Sequence, residues 1–320
     1  MFEPAAFASL FRAEAVDPET IAVNAQLAAG TARAPQVYRE GAPAVRAVRR
    51  QQALASPSIP SPMAVERAIP GPDGPIPVRM FVPPTVHGVY LHIHGGGYCL
   101  GEPLSSDPRN EAVARGCEVA VVSVDYRLAP EHPYPAGADD CEAVARWLVE
   151  HASSEFGADR LLVGGESAGA TLSVGTLLRL RDRHGYRGCA GANLMYGWYD
   201  LLGTPSITRI GQDSPTLSPE SLIWFAAHYL PDRARWHEPD VSPLFADLAG
   251  LPPALFSVGT LDPLLDDSLF MYARWAAACN ATELAIYPGG AHGLSGHPSQ
   301  LGAQANERAD RFLRDCLEGD

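Results

Sequence analysis

A serine flanked by glycines, Gly165-Glu-Ser-Ala-Gly169, lies at the junction of two predicted elements and sets the strongest limit on the fold. The run Arg160–Gly165 predicts a short buried strand, and Ala168–Arg183 predicts a helix that stops at Gly185. A serine in such a strand-to-helix turn projects above a sheet, and the glycines two positions away avoid clashes with neighbouring backbone. Taken alone, the pentapeptide fits a nucleophile and an ordinary turn with a capping serine equally well.

Strands alternate with helices along the chain from Ala64 onward. Val65–Ile69 and Ile76–Val82 flank the turn residues Gly71–Gly74 and predict a β-hairpin. Alternation of this kind predicts an α/β fold with a mostly parallel, eight-stranded sheet and helices on both faces. The other predicted strands are Val89–His94, Val119–Val124, Arg160–Gly165, Asn193–Tyr196, Ala254–Val258 and Glu283–Tyr287, and the other predicted helices are Ala138–His151, Leu265–Cys279 and Gln300–Leu317.

Two segments do not follow this alternation. The first, up to about Gln52, predicts helices, with Asp17 as an N-cap before Pro18, and the Pro/Ser-rich run Ala55–Pro62 then reads as a linker. The second, Leu201–Ala246, is an insertion between two strands, and an insertion of that length is typically functional, for example as a lid. We therefore expect a helical segment at 1–55, a core at 56–200 and 247–320, and an inserted segment at 201–246.

A glycine triplet, His94-Gly-Gly-Gly-Tyr98, follows the predicted strand Val89–His94. Backbone N–H groups of such a loop are unshielded by side chains, so they can donate to an oxyanion together with the N–H of Ala168. A flexible turn is the alternative, but a triplet upstream of the glycine-flanked serine favours the functional interpretation. His94 itself is predicted to steer the loop rather than to act as a base.

An aspartate and a histidine follow two later strands. Asp262 leaves the strand Ala254–Val258 directly, whereas Asp266 and Asp267 should lie in the next helix as N-terminal charges. His292 lies in the glycine-rich loop Gly289–Gly293, with His297 as a minor rival. The order Ser167, Asp262, His292 is the order of a catalytic triad on such a sheet. The other histidines are assigned to surface helices, loops or a strand interior: His87, His92, His132, His151, His184, His228 and His237.

Composition limits the partners. The formal net charge of −13 makes nucleic acid and anionic membrane surfaces poor partners. No apolar run is long enough to span a bilayer, and residues 1–12 lack the features of a secretory signal, so we expect a cytoplasmic protein. The six cysteines form no C-x-x-C pair, and we expect reduced thiols and neither metal nor cofactor. We expect a monomer or a homodimer that binds a small ester substrate.

Taken together, these motifs resemble the hormone-sensitive lipase family of esterases, also called bacterial family IV. The resemblance implies a helical cap built from the N-terminal segment and the insertion. It also implies oxyanion donors at Gly96, Gly97 and Ala168, with Gly95 as the alternative. The matching stretches run in family order from about Ala64 to the C-terminus: His94–Tyr98, Asp125–Glu131, Gly165–Gly169, Ser242–Leu244, Leu251–Pro253, Asp262–Leu264 and His292–Gly293.

Four departures from the family pattern bear on pocket shape. They are Glu166 for the usual aspartate, Ala170 for glycine, Leu294 for phenylalanine, and Gly197-Trp198 where proline is common. None of them touches the predicted triad, so they leave the chemistry unchanged and affect the choice of ester.

The function predicted from the sequence is hydrolysis of short-to-medium acyl esters by a Ser-His-Asp acyl-enzyme mechanism. Tyr98, Trp198, Trp224 and Phe225 are candidates for the pocket wall, with plain core packing equally open for each. An amidase, deacetylase, lactonase or transacylase would use the same triad. A non-catalytic ligand receptor on the same fold is a further alternative, which His292 in its glycine-rich loop disfavours.

Overall fold

A computed structural model describes residues 4–55 and 60–318 of the chain. The predicted Pro/Ser-rich linker falls partly on residues 56–59, which lie outside the described residues, as do 1–3 and 319–320. Within the described ranges eight strands form one sheet in the order β1-β2-β4-β3-β5-β6-β7-β8. The strands are β1 (Val65–Gly71), β2 (Gly74–Phe81), β3 (Gly88–Ile93), β4 (Val119–Val124), β5 (Leu161–Glu166), β6 (Gly191–Met195), β7 (Ala254–Leu261) and β8 (Thr282–Ala291).

Strand direction follows the prediction. β1 and β2 pair antiparallel as a hairpin, and β2 also lies antiparallel to β4. All other neighbours are parallel. The mostly parallel, eight-stranded sheet is therefore confirmed.

Helices cover both faces of the sheet. Along β4, Ala120, Val122 and Val124 join one apolar core, whereas Val119 and Val121 join the other, as alternation on a pleated strand requires. The helices are α1 (Pro4–Ser9), α2 (Pro18–Thr31), α3 (Val37–Glu40), α4 (Ala42–Leu54), α5 (Asp107–Cys117), α6 (Ala136–Phe156), α7 (Ala168–His184), α8 (Pro205–Ile210), α9 (Pro219–Tyr229), α10 (Leu265–Ala277) and α11 (Gln300–Glu318). Among the described residues, no helix combines the length and apolar character needed to cross a membrane.

Helix α5 was not predicted, and its buried face explains why. Asp107 and Asn110 are fully buried on that face beside Val113 and Ala114, so the apolar period is interrupted by polar residues. Asp107 is tolerated there because Arg79 donates to its two carboxylate oxygens at 2.9 and 2.6 Å.

The parallel arrangement places the predicted site residues at one edge of the sheet. β3, β5, β7 and β8 run in the same direction, so their carboxyl ends meet there. The glycine triplet follows β3, Ser167 follows β5, Asp262 follows β7 and His292 follows β8.

Residues 4–55 and 201–246, here called the outer segments, meet the core at this same edge. Asn24 of α2 donates to the Gly289 carbonyl at 2.9 Å, close to His292. Arg46 of α4 donates to the carbonyls of Cys99 and Ala129 at 2.8 and 3.0 Å. From the other segment, the Thr216 hydroxyl donates to the His292 carbonyl at 2.9 Å.

Candidate active site

Ser167 occupies the sharp turn between β5 and α7. Its backbone has φ 55° and ψ −123°, a strained conformation for a residue with a side chain. A Cβ on Gly165 would lie 2.0 Å from the Ile93 carbonyl oxygen, and one on Gly169 would lie 1.9 Å from the same oxygen. Both glycines are therefore required for the turn to pack against the end of β3.

The structure brings the three predicted polar side chains into one hydrogen-bonded chain. Ser167 Oγ lies 2.9 Å from His292 Nε2, and His292 Nδ1 lies 3.0 Å from Asp262 Oδ2. Asp262 is fully buried, and its Oδ1 also accepts the backbone N–H of Leu264 at 2.8 Å. With the proton on Nδ1, the imidazole can donate to Asp262 and accept the serine proton on Nε2.

A close approach of two strands brings Asp262 and His292 into contact. A Cβ on Gly259 of β7 would lie 1.9 Å from the Gly290 carbonyl oxygen of β8. The register between β7 and β8 shifts at this point, between Gly259 and Leu261. The glycine at 259 thus permits the strand pairing from which both side chains emerge.

The two rivals of these residues are placed elsewhere. Asp266 lies in the first turn of α10, as predicted, and accepts the backbone N–H of Ser206 at 2.8 Å. His297 lies near His292. The pKa of His297 is lowered mainly by burial and further by the proximity of His292. His292 is the histidine that contacts Ser167.

The glycine triplet packs directly on the turn that carries Ser167. A Cβ on Gly95 would lie 2.7 Å from the Glu166 carbonyl oxygen and 3.3 Å from Ser167 Cβ. Gly96 and Gly97 have φ of 124° and 59°, which favours glycine at both positions. Within the described residues, the N–H groups of Gly96, Gly97 and Ala168 donate no hydrogen bond, so they are available to an oxyanion beside Ser167.

His94 lies beneath this loop as a neutral structural residue. Its ring stacks on Tyr126 at 4.3 Å between centroids, and its Nδ1 donates to the Gly95 carbonyl at 2.8 Å. Burial lowers its pKa to about 4. This placement matches the expectation that His94 steers the loop.

Sequence reasoning missed a polar network behind the serine. Glu166 carries its carboxylate 3.1 Å from His92 Nε2, while His92 Nδ1 lies 2.8 Å from Ser123 Oγ and 3.2 Å from Asn110 Nδ2. Burial works against ionisation of Glu166, yet the interaction with His92 holds the pKa of this carboxyl below its ordinary value. A histidine inside an otherwise apolar buried strand was the available clue, since buried polar groups need partners.

A second missed residue is Asp267, which ties an outer segment to the core. It is fully buried, and it accepts the backbone N–H groups of Tyr199 and Asp200 at 2.7 and 3.0 Å and the Thr204 hydroxyl at 2.6 Å. Burial raises its pKa to about 7. The interpretation of Asp267 as a helix N-terminal charge was therefore incomplete.

The four aromatic residues predicted for the pocket wall lie in different surroundings. Phe225 lies against the glycine loop, since a Cβ on Gly97 would lie 2.4 Å from its ring. Tyr98 and Trp198 are buried, with Tyr98 stacked on Tyr229 at 3.8 Å between centroids. Trp224 is half-buried, and its ring stacks on His228 at 3.7 Å.

A serine at a strand-to-helix turn on a parallel sheet, followed in chain order by an aspartate and a histidine at later strand ends, defines the α/β-hydrolase class. A family model described as alpha/beta hydrolase fold matches residues 90–295. The carboxylesterase NlhH of Mycobacterium tuberculosis is 37% identical over 266 residues, 78% of this chain and 81% of that protein. An acetyl esterase of Salmonella schwarzengrund is 31% identical over 70% of this chain and 71% of its own.

Solved structures agree with these sequence relatives. An esterase from the bacterial hormone-sensitive lipase family superposes with a TM-score of 0.82 at 31% identity, over 94% of this chain and 99% of that one. The hyperthermophilic esterase of the archaeon Pyrobaculum calidifontis gives a TM-score of 0.85 at 28% identity, over 94% and 98%. The chain belongs to the α/β-hydrolase fold family and, within it, to the hormone-sensitive lipase family of esterases.

Proposed function

We propose that this carboxylic ester hydrolase cleaves short-to-medium acyl esters through an acyl-enzyme on Ser167, with His292 as base and Asp262 as its partner. The observation that carries the proposal is the continuous chain from Ser167 Oγ to His292 Nε2 at 2.9 Å and from His292 Nδ1 to Asp262 at 3.0 Å. A ligand receptor on this fold has no need of such a chain, whereas a hydrolase does.

In the first half-reaction Ser167 Oγ attacks the ester carbonyl carbon while His292 Nε2 takes its proton. The negative charge on the carbonyl oxygen is bound by N–H groups of Ala168 and of the loop, Gly96 and Gly97, with Gly95 as the alternative. Asp262 stabilises the imidazolium and holds its ring orientation. Collapse of the tetrahedral intermediate expels the alcohol, which receives the proton from His292.

In the second half-reaction water takes the place of the alcohol. His292 removes a proton from the water as it attacks the acyl carbon, and the same N–H groups bind the oxyanion. Release of the carboxylic acid returns the proton to Ser167 and restores the starting state. All of these steps use side chains and backbone groups of the chain itself.

The short-to-medium chain length is proposed from the position of the outer segments. We propose that residues 1–55 and 201–246 form a cap over the site. Support comes from Phe225, which lies against Gly97, and from Thr216, which donates to the His292 carbonyl at 2.9 Å. An aromatic ring in contact with the oxyanion loop limits the space for an acyl chain. Of the four predicted wall residues, Phe225 is therefore the strongest candidate.

The test combines an active-site label with a substitution. A fluorophosphonate should label the wild type at Ser167, and Ser167→Ala should remain folded, take up no label and lose turnover of p-nitrophenyl butyrate by about a millionfold. Near-wild-type hydrolysis by Ser167→Ala would overturn the mechanism. A series of p-nitrophenyl esters should give the highest kcat/KM at short-to-medium chains, and an optimum at long chains would contradict the proposed specificity.

A further inference from the structure

A cavity of about 590 Å³ lies between α4 and the glycine loop. Gly95 and Gly96 form part of its wall, so it adjoins the loop that packs on Ser167. The opposite wall is basic, because Arg46, Arg49 and Arg50 of α4 all border the cavity. The formal net charge of −13 makes this concentration of cations unusual for the chain and raises the question of what they bind.

Two of the three arginines are already neutralised. Arg46 pairs with Glu131 at 2.7 Å and also donates to two backbone carbonyls. Arg50 pairs with Glu102, a carboxylate on the same cavity wall. Their charges are therefore satisfied within the protein.

Arg49 differs from both neighbours. Within the described residues its guanidinium makes neither an ion pair nor a hydrogen bond, although its side chain remains exposed to solvent. The surrounding protein lowers its pKa by desolvation, and no carboxylate offsets this effect. Arg49 borders the cavity without a partner of its own, so an anion bound there would gain a charge-assisted hydrogen bond from its guanidinium.

Asp125 is the remaining acid on the cavity wall, and it lies on the Arg50 side. Burial is the main cause that raises the pKa of Asp125, and repulsion from Glu102 and Glu66 raises it further. Attraction to Arg50 acts in the opposite direction. Arg49 is not among the charges that act on it. The carboxylates of the cavity thus leave Arg49 unpaired.

We propose that Arg49 binds a carboxylate, or another single negative charge, carried by the ester substrate, and so selects anionic esters over neutral ones. The inference rests on the proposed function, since it names a substrate class for the site at Ser167, which the cavity adjoins through Gly95 and Gly96. The anionic group is separated from the scissile carbonyl by several bonds, and it belongs to either the acyl or the alcohol part. Arg49 is a specificity-determining residue in this scheme and takes no part in bond breaking.

Matched pairs of esters test the proposal. Monomethyl succinate, glutarate and adipate carry a free carboxylate on the acyl part, and methyl butyrate, valerate and hexanoate are their neutral counterparts. On the alcohol part, para-acetoxybenzoate is compared with phenyl acetate. Hydrolysis of each is followed by pH-stat titration for the wild type, Arg49→Gln, Arg49→Lys and Arg33→Gln. Arg33 is exposed and lies outside the cavity, so Arg33→Gln controls for the change in net charge.

We expect Arg49→Gln to lower kcat/KM about ten- to a hundredfold on the anionic member of at least one pair, mainly through KM. The neutral members should change less than about twofold, Arg49→Lys should recover part of the loss, and Arg33→Gln should leave the ratio unchanged. The pair that responds identifies the acyl or the alcohol side.

Two outcomes separate the inference from the proposed function. If the wild type hydrolyses neutral esters but Arg49→Gln changes both members of every pair equally, the anion site is overturned and the hydrolase mechanism stands. If neutral and anionic esters are both untouched by the wild type, the proposed function itself fails.

Discussion

The strand ends and the outer segments meet at one edge of the sheet, yet they are built differently. Ser167, Asp262 and His292 each follow a strand of one sheet directly, and their spacing is fixed by strand pairing. The outer segments reach the site through individual contacts, such as Phe225 against Gly97 and Arg46 on the Cys99 carbonyl. The proposed chemistry thus belongs to the strand ends, whereas the proposed substrate choice belongs to segments held on that rigid scaffold.

The two regions also differ in how their charges are arranged. At the strand ends Asp262 is fully buried, and its carboxylate is hydrogen-bonded to the imidazole of His292. In the cavity beside α4, ion pairs neutralise Arg46 and Arg50, whereas Arg49 forms no ion pair within the described residues. An ion pair within the protein holds the two side chains in place, while an unpaired cation that faces a cavity is available to a ligand. Substitutions in each region test this difference.

The largest effect is expected at the strand ends. Asp262→Asn should lower kcat by about 10⁴, because the amide cannot hold the tautomer with a proton on Nδ1 or stabilise the imidazolium. Asp266→Asn, four residues further on, is the matched control and should keep near-wild-type kcat, since Asp266 contacts the backbone of Ser206 instead. Equal losses in the two variants would remove Asp262 from its assigned role. The measurement is kcat for p-nitrophenyl butyrate.

The next effect lies where the two regions touch. Gly97→Ala should lower kcat by about a hundredfold, because the new Cβ would lie 2.4 Å from the Phe225 ring and must displace the loop. Adding Phe225→Ala makes room for the methyl group and should restore part of the activity. Wild-type kcat in Gly97→Ala would show that this loop does not bind the oxyanion.

A smaller effect is expected from the outer segment alone. Phe225→Ala should raise kcat/KM for long acyl chains relative to short ones by about tenfold, because it opens space beside the loop. The control is Ile223→Ala on the same helix, since Ile223 is 63% exposed and away from the loop. An unchanged chain-length profile in Phe225→Ala would place the acyl pocket elsewhere. The p-nitrophenyl ester series measures both variants.

The last effect concerns stability instead of turnover and reports how the insertion is tied to the core. Because the pKa of Asp267 is raised to about 7 in the folded state, folding is favoured by its protonation at low pH, and this contribution is lost as pH rises through about 7. Between roughly pH 4 and 7 the wild type should lose about 1.4 kcal/mol of unfolding free energy per pH unit relative to Asp267→Asn. Urea unfolding of both proteins across this range measures the difference. Parallel pH curves would contradict the assignment.

The sequence predicted the sheet well because its strands are short apolar runs with clear limits. Val119–Val124 matches β4 residue for residue, and the β1–β2 hairpin was also expected. β8 extends to Ala291, beyond the predicted end at Tyr287, because Gly290 continues the strand against Gly259. Helix α5 was not predicted because Asp107 and Asn110 occupy its buried face. Their burial becomes favourable only with partners from strands of the sheet, such as Arg79 of β2 for Asp107.

The chain order of Ser167, Asp262 and His292 and their positions after strands could be predicted from the amino-acid sequence. Their meeting at one edge was also predictable, because parallel strands bring their carboxyl ends together. Which side chains of the outer segments lie near the glycine loop depends on tertiary packing. No fixed spacing distinguishes Phe225 from Trp224 or Arg49 from Arg50, since each depends on how a helix packs against a distant loop. That packing pairs Arg50 with Glu102 and leaves Arg49 without an ion pair within the described residues.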